Sequence, residues 1–257
     1  MSRGRQRETR SMQEHTVRAF DADLEGLRRG ISEMGGIAEK MLADATSALV
    51  ERDAALAQSV IAADGRLDLL QRDTEERAIL TIARRQPFAV DLREIVSAFR
   101  VASDLERIGD LAKNVGKRVI AVSGGFHPQQ FVTGLQHMSD MALAQLKDVL
   151  DAYAQHDVEA ALDVWRRDDA IDALHNSLFR ELLTYMMEDP RNITPCTHLL
   201  FCAKNLERIG DHVTNIAETI HYLVTGQSLG GERPKGDRTS AIGPDIEPGR
   251  TDRETTS

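Results

Sequence analysis

The six residues Leu-Glu-Arg-Ile-Gly-Asp occur twice in this chain, at 105–110 and at 206–211, 101 positions apart. Chance does not repeat an identical hexapeptide at that distance, so the chain holds two copies of one structural unit. Each copy sets two acids four residues apart, Glu106 with Asp110 and Glu207 with Asp211. On an α-helix that spacing puts both carboxylates on one face, about 6 Å apart, where a single cation can serve both. The same six letters therefore encode a duplicated architecture and a duplicated acidic site.

The likeness continues upstream. Residues 60–71 align without gaps on 164–175 at an offset of 104, bringing Asp64 onto Asp168 and Asp68 onto Asp172. Met34, Asp44 and Asp53 fall on Met138, Asp148 and Asp157 at that same offset of 104. The drop from 104 to 101 assigns a small length difference to a connecting turn. A unit of about 100 residues is longer than any solenoid period, which makes this an internally duplicated domain.

Helical periodicity fills in the unit. Leu92, Ile95, Phe99, Ala102, Leu105, Ile108, Ala112, Val115 and Val119 step by three or four, as an amphipathic helix requires. The same reading gives six helices, at about 16–52, 54–85, 90–122, 128–155, 158–187 and 193–225, with Gly35-Gly36 a weak point in the first. Asp53 and Asp157 stand where the first and second helices of each half meet, a position suited to N-caps. Ser123-Gly124-Gly125 terminates the third helix. Beyond Gly226 the chain is Gly, Pro, Thr and charge, without period. Long helices on short turns pack antiparallel with their neighbours. The expected fold is all-α, two antiparallel three-helix bundles related by a pseudo-two-fold, at 16–123 and 127–225. A flexible extension, 1–15, precedes them and a disordered tail, 226–257, follows. Trp165 and Phe99 are expected in the core.

Register arithmetic then places the acids. Asp68 and Glu106 each lie 19 residues from Pro87, and Asp64 and Asp110 each lie 23. In the second half the pairs Asp168/Asp211 and Asp172/Glu207 both centre on Asp189-Pro190. Residues equidistant from a tight turn lie level in an antiparallel hairpin. Each half therefore brings together four carboxylates, Asp64, Asp68, Glu106 and Asp110 in one, Asp168, Asp172, Glu207 and Asp211 in the other. At ~1.5 Å per residue both sets lie some 30–35 Å from their turns.

Four gathered carboxylates repel one another unless a cation neutralises them, and oxygen-only donors suit hard ions such as Mg, Mn, Ca or iron. With Leu105 central in the apolar stripe, Glu106 and Asp110 fall roughly 100–140° around the helix, on its flank at the bundle surface. Gly109 and Gly210 each cost about 1 kcal/mol relative to Ala inside a helix, so a neighbouring helix or a bound ion must approach there. Asn114 and Asn215, one turn further, are candidate additional oxygen ligands. Arg107 and Arg208 are read as surface salt-bridge partners. His198, Cys202 and His212 lack the spacing of a zinc motif.

Composition closes other doors. Aromatic residues make up 4% and the net charge is −9, which favours helix and disfavours general nucleic-acid binding. Two cysteines, Cys196 and Cys202, make no disulfide framework and suit a reducing compartment. Arg3, Arg5, Arg7 and Arg10 are followed by no apolar run of the kind a secretory signal carries. No stretch approaches the ~20 apolar residues of a membrane span. A soluble, cytoplasmic protein is expected. No P-loop, helix-opening GxGxxG or GxSxG occurs.

The doubled L-E-R-I-G-D, the D-x-x-x-D pairs and the duplication together resemble the PhoU family of phosphate-signalling regulators, over about 16–225. The resemblance implies two three-helix bundles whose E/D-x-x-x-D motifs hold metal, with iron, zinc, magnesium and manganese all in play. It implies a negative regulator of the phosphate-starvation response with no catalytic step. Its implied partners are the ATP-binding subunit of the phosphate ABC transporter and a sensor histidine kinase, and a homodimer is expected. Two other readings remain. A carboxylate-bridged di-metal helical-bundle enzyme would want Glu-x-x-His pairs, which neither repeat has. A metal-free structural scaffold would need no ion.

Overall fold

The computed structural model describes the backbone of residues 2–122 and 129–230, with side chains from Ala19 onward. Seven α-helices account for nearly all of it: α1 (Ser2–Glu51), α2 (Ala54–Arg85), α3 (Ala89–Val122), α4 (Gln129–Gln155), α5 (Val158–Arg166), α6 (Asp168–Glu188) and α7 (Ile193–Thr225). A 3₁₀ turn, Pro190–Asn192, joins α6 to α7.

The duplication is visible down to the turns. Between α1 and α2, Arg52 takes a left-handed φ of 58° and the Asp53 N–H donates to the Ala48 carbonyl at 3.0 Å, wrapping up the orphan carbonyls of α1. Asp53 then caps α2, its carboxylate accepting from the Ala55 and Leu56 N–H groups at 2.8 and 2.9 Å. Between α4 and α5 His156 has φ 54°, Asp157 N–H donates to Ala152 at 2.9 Å, and the Asp157 carboxylate accepts from Ala160 at 3.1 Å. Both predicted N-caps are in place. Asp53→Ala should lower stability by about 1 kcal/mol, the usual worth of such a cap. An unchanged urea midpoint in that variant would remove the cap from the account.

α1, α2 and α3 pack together, as do α4, the α5–α6 pair and α7. The halves meet where α3 lies along α7 and α1 along α4. α3 and α7 run antiparallel: the Arg100 guanidinium sits 5.2 Å from the Tyr222 ring centre, and that of Arg118 sits 4.4 Å from the Phe201 ring centre. On the other crossing the Thr46 and Ser139 hydroxyls are 2.5 Å apart. One continuous apolar core runs through both halves and includes Leu105, Ile108, Leu206 and Ile209, with the paired Met34 and Met138 fully buried. The all-α duplicated fold is as the sequence implied.

Several local expectations change. The flexible extension expected at 1–15 is helical from Ser2, so α1 begins well before Thr16. That stretch holds Arg, Gln, Glu and Met without proline, and extending an established helix carries no new nucleation cost. The Gly35-Gly36 pair is no break in α1. A Cβ at Gly35 would meet Leu150 of α4 at 2.8 Å, so this glycine permits the α1–α4 crossing. The expected helix at 158–187 is interrupted at Arg167, where Ala170 N–H bonds back three residues to the Arg167 carbonyl at 3.3 Å. The Gln145 side chain of α4 donates to that same carbonyl at 3.1 Å, and such an intrusion into a helix ladder breaks it. Trp165 packs on the core and donates its indole N–H to Glu218 at 3.1 Å, whereas Phe99 is 38% exposed. Ala98 takes the core position on that turn of α3, leaving Phe99 about 100° around the helix. The Ser123-Gly124-Gly125 terminator and the tail from 231 on lie outside the described residues. Thr225 ends α7 ahead of a left-handed Gly226 at φ 73°.

Candidate metal centre

The α2–α3 hairpin turns at Pro87, and the α6–α7 hairpin turns at Asp189-Pro190. These are the two pivots on which the register depends. In the first half the Lys113 ammonium of α3 donates to Asp64 of α2 at 2.6 Å and to Asp110 at 2.5 Å. One cation thus spans two acids that stand level on facing helices. Glu106 lies in the field of the same group. Burial pushes its carboxyl above the usual carboxylate range; Asp110 adds to the rise, Arg107 opposes it, and Asp68 and Asp64 add again. Burial alone would lower the Lys113 ammonium, but the hydrogen bonds it donates to Asp110 and Asp64 overcome that and leave it above its ordinary value.

Close helix approach makes this possible. A Cβ at Gly109 would overlap the Leu67 side chain, which lies between Asp64 and Asp68 in sequence. In the second half a Cβ at Gly210 would stand 3.1 Å from Ile171 and 3.6 Å from an Asp168 oxygen. A neighbouring helix, α2 or α6, is what each glycine admits.

The second cluster is deeper. Asp168 and Asp172 are buried, and Glu207 is 5% exposed. Lys204 donates to Glu207 Oε1 at 2.7 Å, while Glu207 Oε2 is buried with no hydrogen-bond partner. Burial pushes the Glu207 carboxyl up; Lys204 pulls it down, and Asp211 and Asp172 raise it further. The surface location predicted for the acids describes Glu106 and Asp110 and does not describe Glu207. In both halves the acids are neighbours, yet among the described residues no three His, Cys, Asp or Glu side chains are set around one point to hold a metal ion. The donor chemistry, all oxygen with one buried carboxylate oxygen unpaired, fits a hard cation at the second cluster.

Asn215 turns its amide to Asp104 across the seam at 3.3 Å, where His212 Nδ1 also meets Asp104 at 2.9 Å. That bond from Asn215 uses its amide N–H and not its oxygen, the atom expected to ligate; Asn114 is partly buried on α3. Cys202 is a buried core residue whose thiol burial pushes up to about 12. Arg107 is an exposed partner of Glu106 and Asp110, at 3.5 and 3.7 Å. The sequence reading missed Lys113 and Lys204. Each stands three residues from an acid of the cluster, a spacing that signals pairing on a helix.

Comparison with known proteins supplies a context. The family model described as the PhoU domain matches residues 31–119 and 135–220. The chain is 61% identical over 229 residues to the phosphate-specific transport system accessory protein PhoU homolog of Rhizobium meliloti, covering 89% of this chain and 97% of the other. It is 50% identical to the Caulobacter vibrioides homolog of the same description, over 88% of this chain and 98% of the other. Among solved structures, PhoU from Pseudomonas aeruginosa superposes with a TM-score of 0.79 at 39% identity, covering 81% of this chain and 100% of that one. The regulatory protein PhoU from Streptococcus pneumoniae gives a TM-score of 0.76 at 28% identity, over 82% of this chain and 99% of that one.

Proposed function

This chain belongs to the PhoU family, and on that premise we propose that it is the accessory protein through which a phosphate transport system restrains the phosphate-starvation response. It works as a cytoplasmic adaptor, pairing as a homodimer and contacting the ATP-binding subunit of a phosphate ABC transporter and a sensor histidine kinase. It carries out no catalytic step. The observation behind this reading is the twin acidic hairpin, Asp64, Asp68, Glu106 and Asp110 with Asp168, Asp172, Glu207 and Asp211, one in each family-matched half. Divalent or trivalent ions (Mg, Mn, Fe or Zn) would be held by these carboxylates and would supply charge neutralisation that ties α2 to α3 and α6 to α7. No helix among the described residues is long and apolar enough to cross a membrane, which accords with docking onto a transporter from outside the bilayer.

The test is expression of a phosphatase reporter in phosphate-replete cells lacking the gene. Expression should rise to the level of starved cells and return on complementation. A reporter that stays at the parental level, in a host with no second copy, removes the repressor role.

A further inference from the structure

Where α7 ends on the α3–α7 seam, a cavity of about 410 Å³ opens between the two helices, and none of the hairpin acids lines it. That volume is in the range of small-molecule sites. Phe99 and Leu229 supply apolar wall. Opposite charges stand unjoined around it. Arg100 and Asp104 are one turn apart on α3, a spacing of about 6 Å between Cβ atoms that permits pairing. Each turns away from the other. The Arg100 guanidinium lies over the Tyr222 ring at 5.2 Å and forms no ion pair among the described residues. Asp104 Oδ1 takes His212 Nδ1 and the Asn215 amide N–H, and across the cavity Glu218 Oε1 accepts from the Trp165 indole. Each carboxylate is thus anchored by one oxygen, and the second, Asp104 Oδ2 or Glu218 Oε2, accepts no hydrogen bond among the described residues.

A buried hydroxyl opens on the same space. Thr46, Thr81 and Thr214 donate to the carbonyl four residues back, the usual partner of a helical threonine. Thr219 is as buried, at 6% exposed, and lines the cavity, yet its hydroxyl has no hydrogen-bond partner among the described residues. Leaving such a group unpaired costs stability, and a ligand in the cavity would satisfy it.

We infer that this cavity binds a small zwitterion of the amino-acid class. Its carboxylate meets Arg100, its ammonium meets Asp104, Glu218 and the Thr219 hydroxyl, and an apolar or aromatic side chain rests on Phe99 and Leu229. A plain anion would face two carboxylates and a plain cation would face the guanidinium. Only a molecule with both charges a few bonds apart answers the whole set. The anchors from His212, Asn215 and Trp165 hold the acceptors in place before the ligand arrives, which lowers the cost of binding. Such a site is independent of the adaptor role and of any metal on the hairpins.

Trp165 is the only tryptophan of the chain, and its bond to Glu218 makes its fluorescence a reporter that needs no substitution. Titrating the full chain with the standard amino acids one at a time should shift its emission saturably with an apolar or aromatic member. Calorimetry replaces fluorescence for tyrosine and tryptophan. The best binder is then compared with analogues lacking one charge, for phenylalanine these being phenethylamine and phenylpropionate. Each should bind at least about tenfold more weakly, the scale of one charge-assisted hydrogen bond. Thr219→Val removes a hydroxyl that is unbonded in the free chain. It should keep the melting temperature at or above the parent's and weaken binding by roughly three- to tenfold. Arg100→Gln should weaken binding by about tenfold or more; if circular dichroism shows lost helix in that variant, Thr219→Val carries the test. No saturable response to any standard amino acid overturns the inference. So does equal affinity for a one-charge analogue, or binding that Thr219→Val leaves unchanged.

Discussion

Replacing Gly109 with Val should destabilise the chain by about 3 kcal/mol, although Gly is the poorer helix former. Helix propensity favours a Gly-to-Ala change by about 1 kcal/mol, and a smaller gain carries over to Val. Against it stands overlap with Leu67, which is fully buried and has no exit, and Met41 sulfur closes the other side at 3.6 Å. Forcing extra carbon into a packed core costs about 1–3 kcal/mol, and a β-branched group adds a second point of collision. Gly210→Ala is the matched comparison. Its nearest neighbour is the flexible end of Ile171 at 3.1 Å, so propensity offsets crowding and the net change should stay within about 1 kcal/mol. Urea unfolding monitored by circular dichroism measures both. A Gly109→Val midpoint equal to the parent's would show that α2 can retreat from α3 at no cost, and the close approach that seats the first acidic cluster would lose its meaning.

Glu207→Gln should act in the opposite direction on the metal-free protein. The native carboxyl is raised chiefly by burial, so the folded state takes up a proton more readily than the unfolded chain, whose glutamate titrates at its ordinary 4.5. A raised carboxyl weakens the fold at neutral pH. Stability contributed by this group therefore climbs as pH falls through the raised native value and levels off below the ordinary one. Glutamine removes the buried charge, still accepts from Lys204, and offers an N–H toward Asp172 or Asp211. In chelator its melting temperature at pH 7 should exceed the parent's by roughly 2–4 °C, the shift that about 1 kcal/mol produces in a chain of this size. The parent should gain on acidification toward pH 5 and the variant should gain less. With Mn(II) added the order should reverse, because only the parent gains a bound ion's stabilisation. A variant that melts below the parent in chelator across this pH range contradicts the assignment of Glu207 as a costly, functionally retained charge.

What the sequence disclosed and what it withheld divide along a physical line. Positions fixed by period and turn were legible: the Asp53 and Asp157 caps, the hairpin pivots at Pro87 and Asp189-Pro190, and the pairing of Asp64 with Asp110. All follow from counting along one helix or across one turn. Features set by a distant side chain were not legible. The break at Arg167 depends on Gln145, which lies 22 residues earlier on another helix. The exposure of Phe99 depends on Ala98 taking its turn in the core. The left-handed Arg52 and His156 carry no glycine to announce them, and only their equivalence across the repeat marks them as designed features. Lys113 was within reach, because a lysine three residues after Asp110 shares its helix face and pairs with it.

The antiparallel seam of α3 on α7 makes this polypeptide a dimer with itself. A protein that builds such a pair from two identical chains is bound by its symmetry, since every substitution in one subunit appears in the other. Joining the copies end to end lifts that bond. A lysine can be seated in one half while its counterpart remains a threonine, and a kink can enter one hairpin while the other stays straight. Covalent fusion thus gives this molecule the geometry of a symmetric pair together with the liberty to give its two faces different duties.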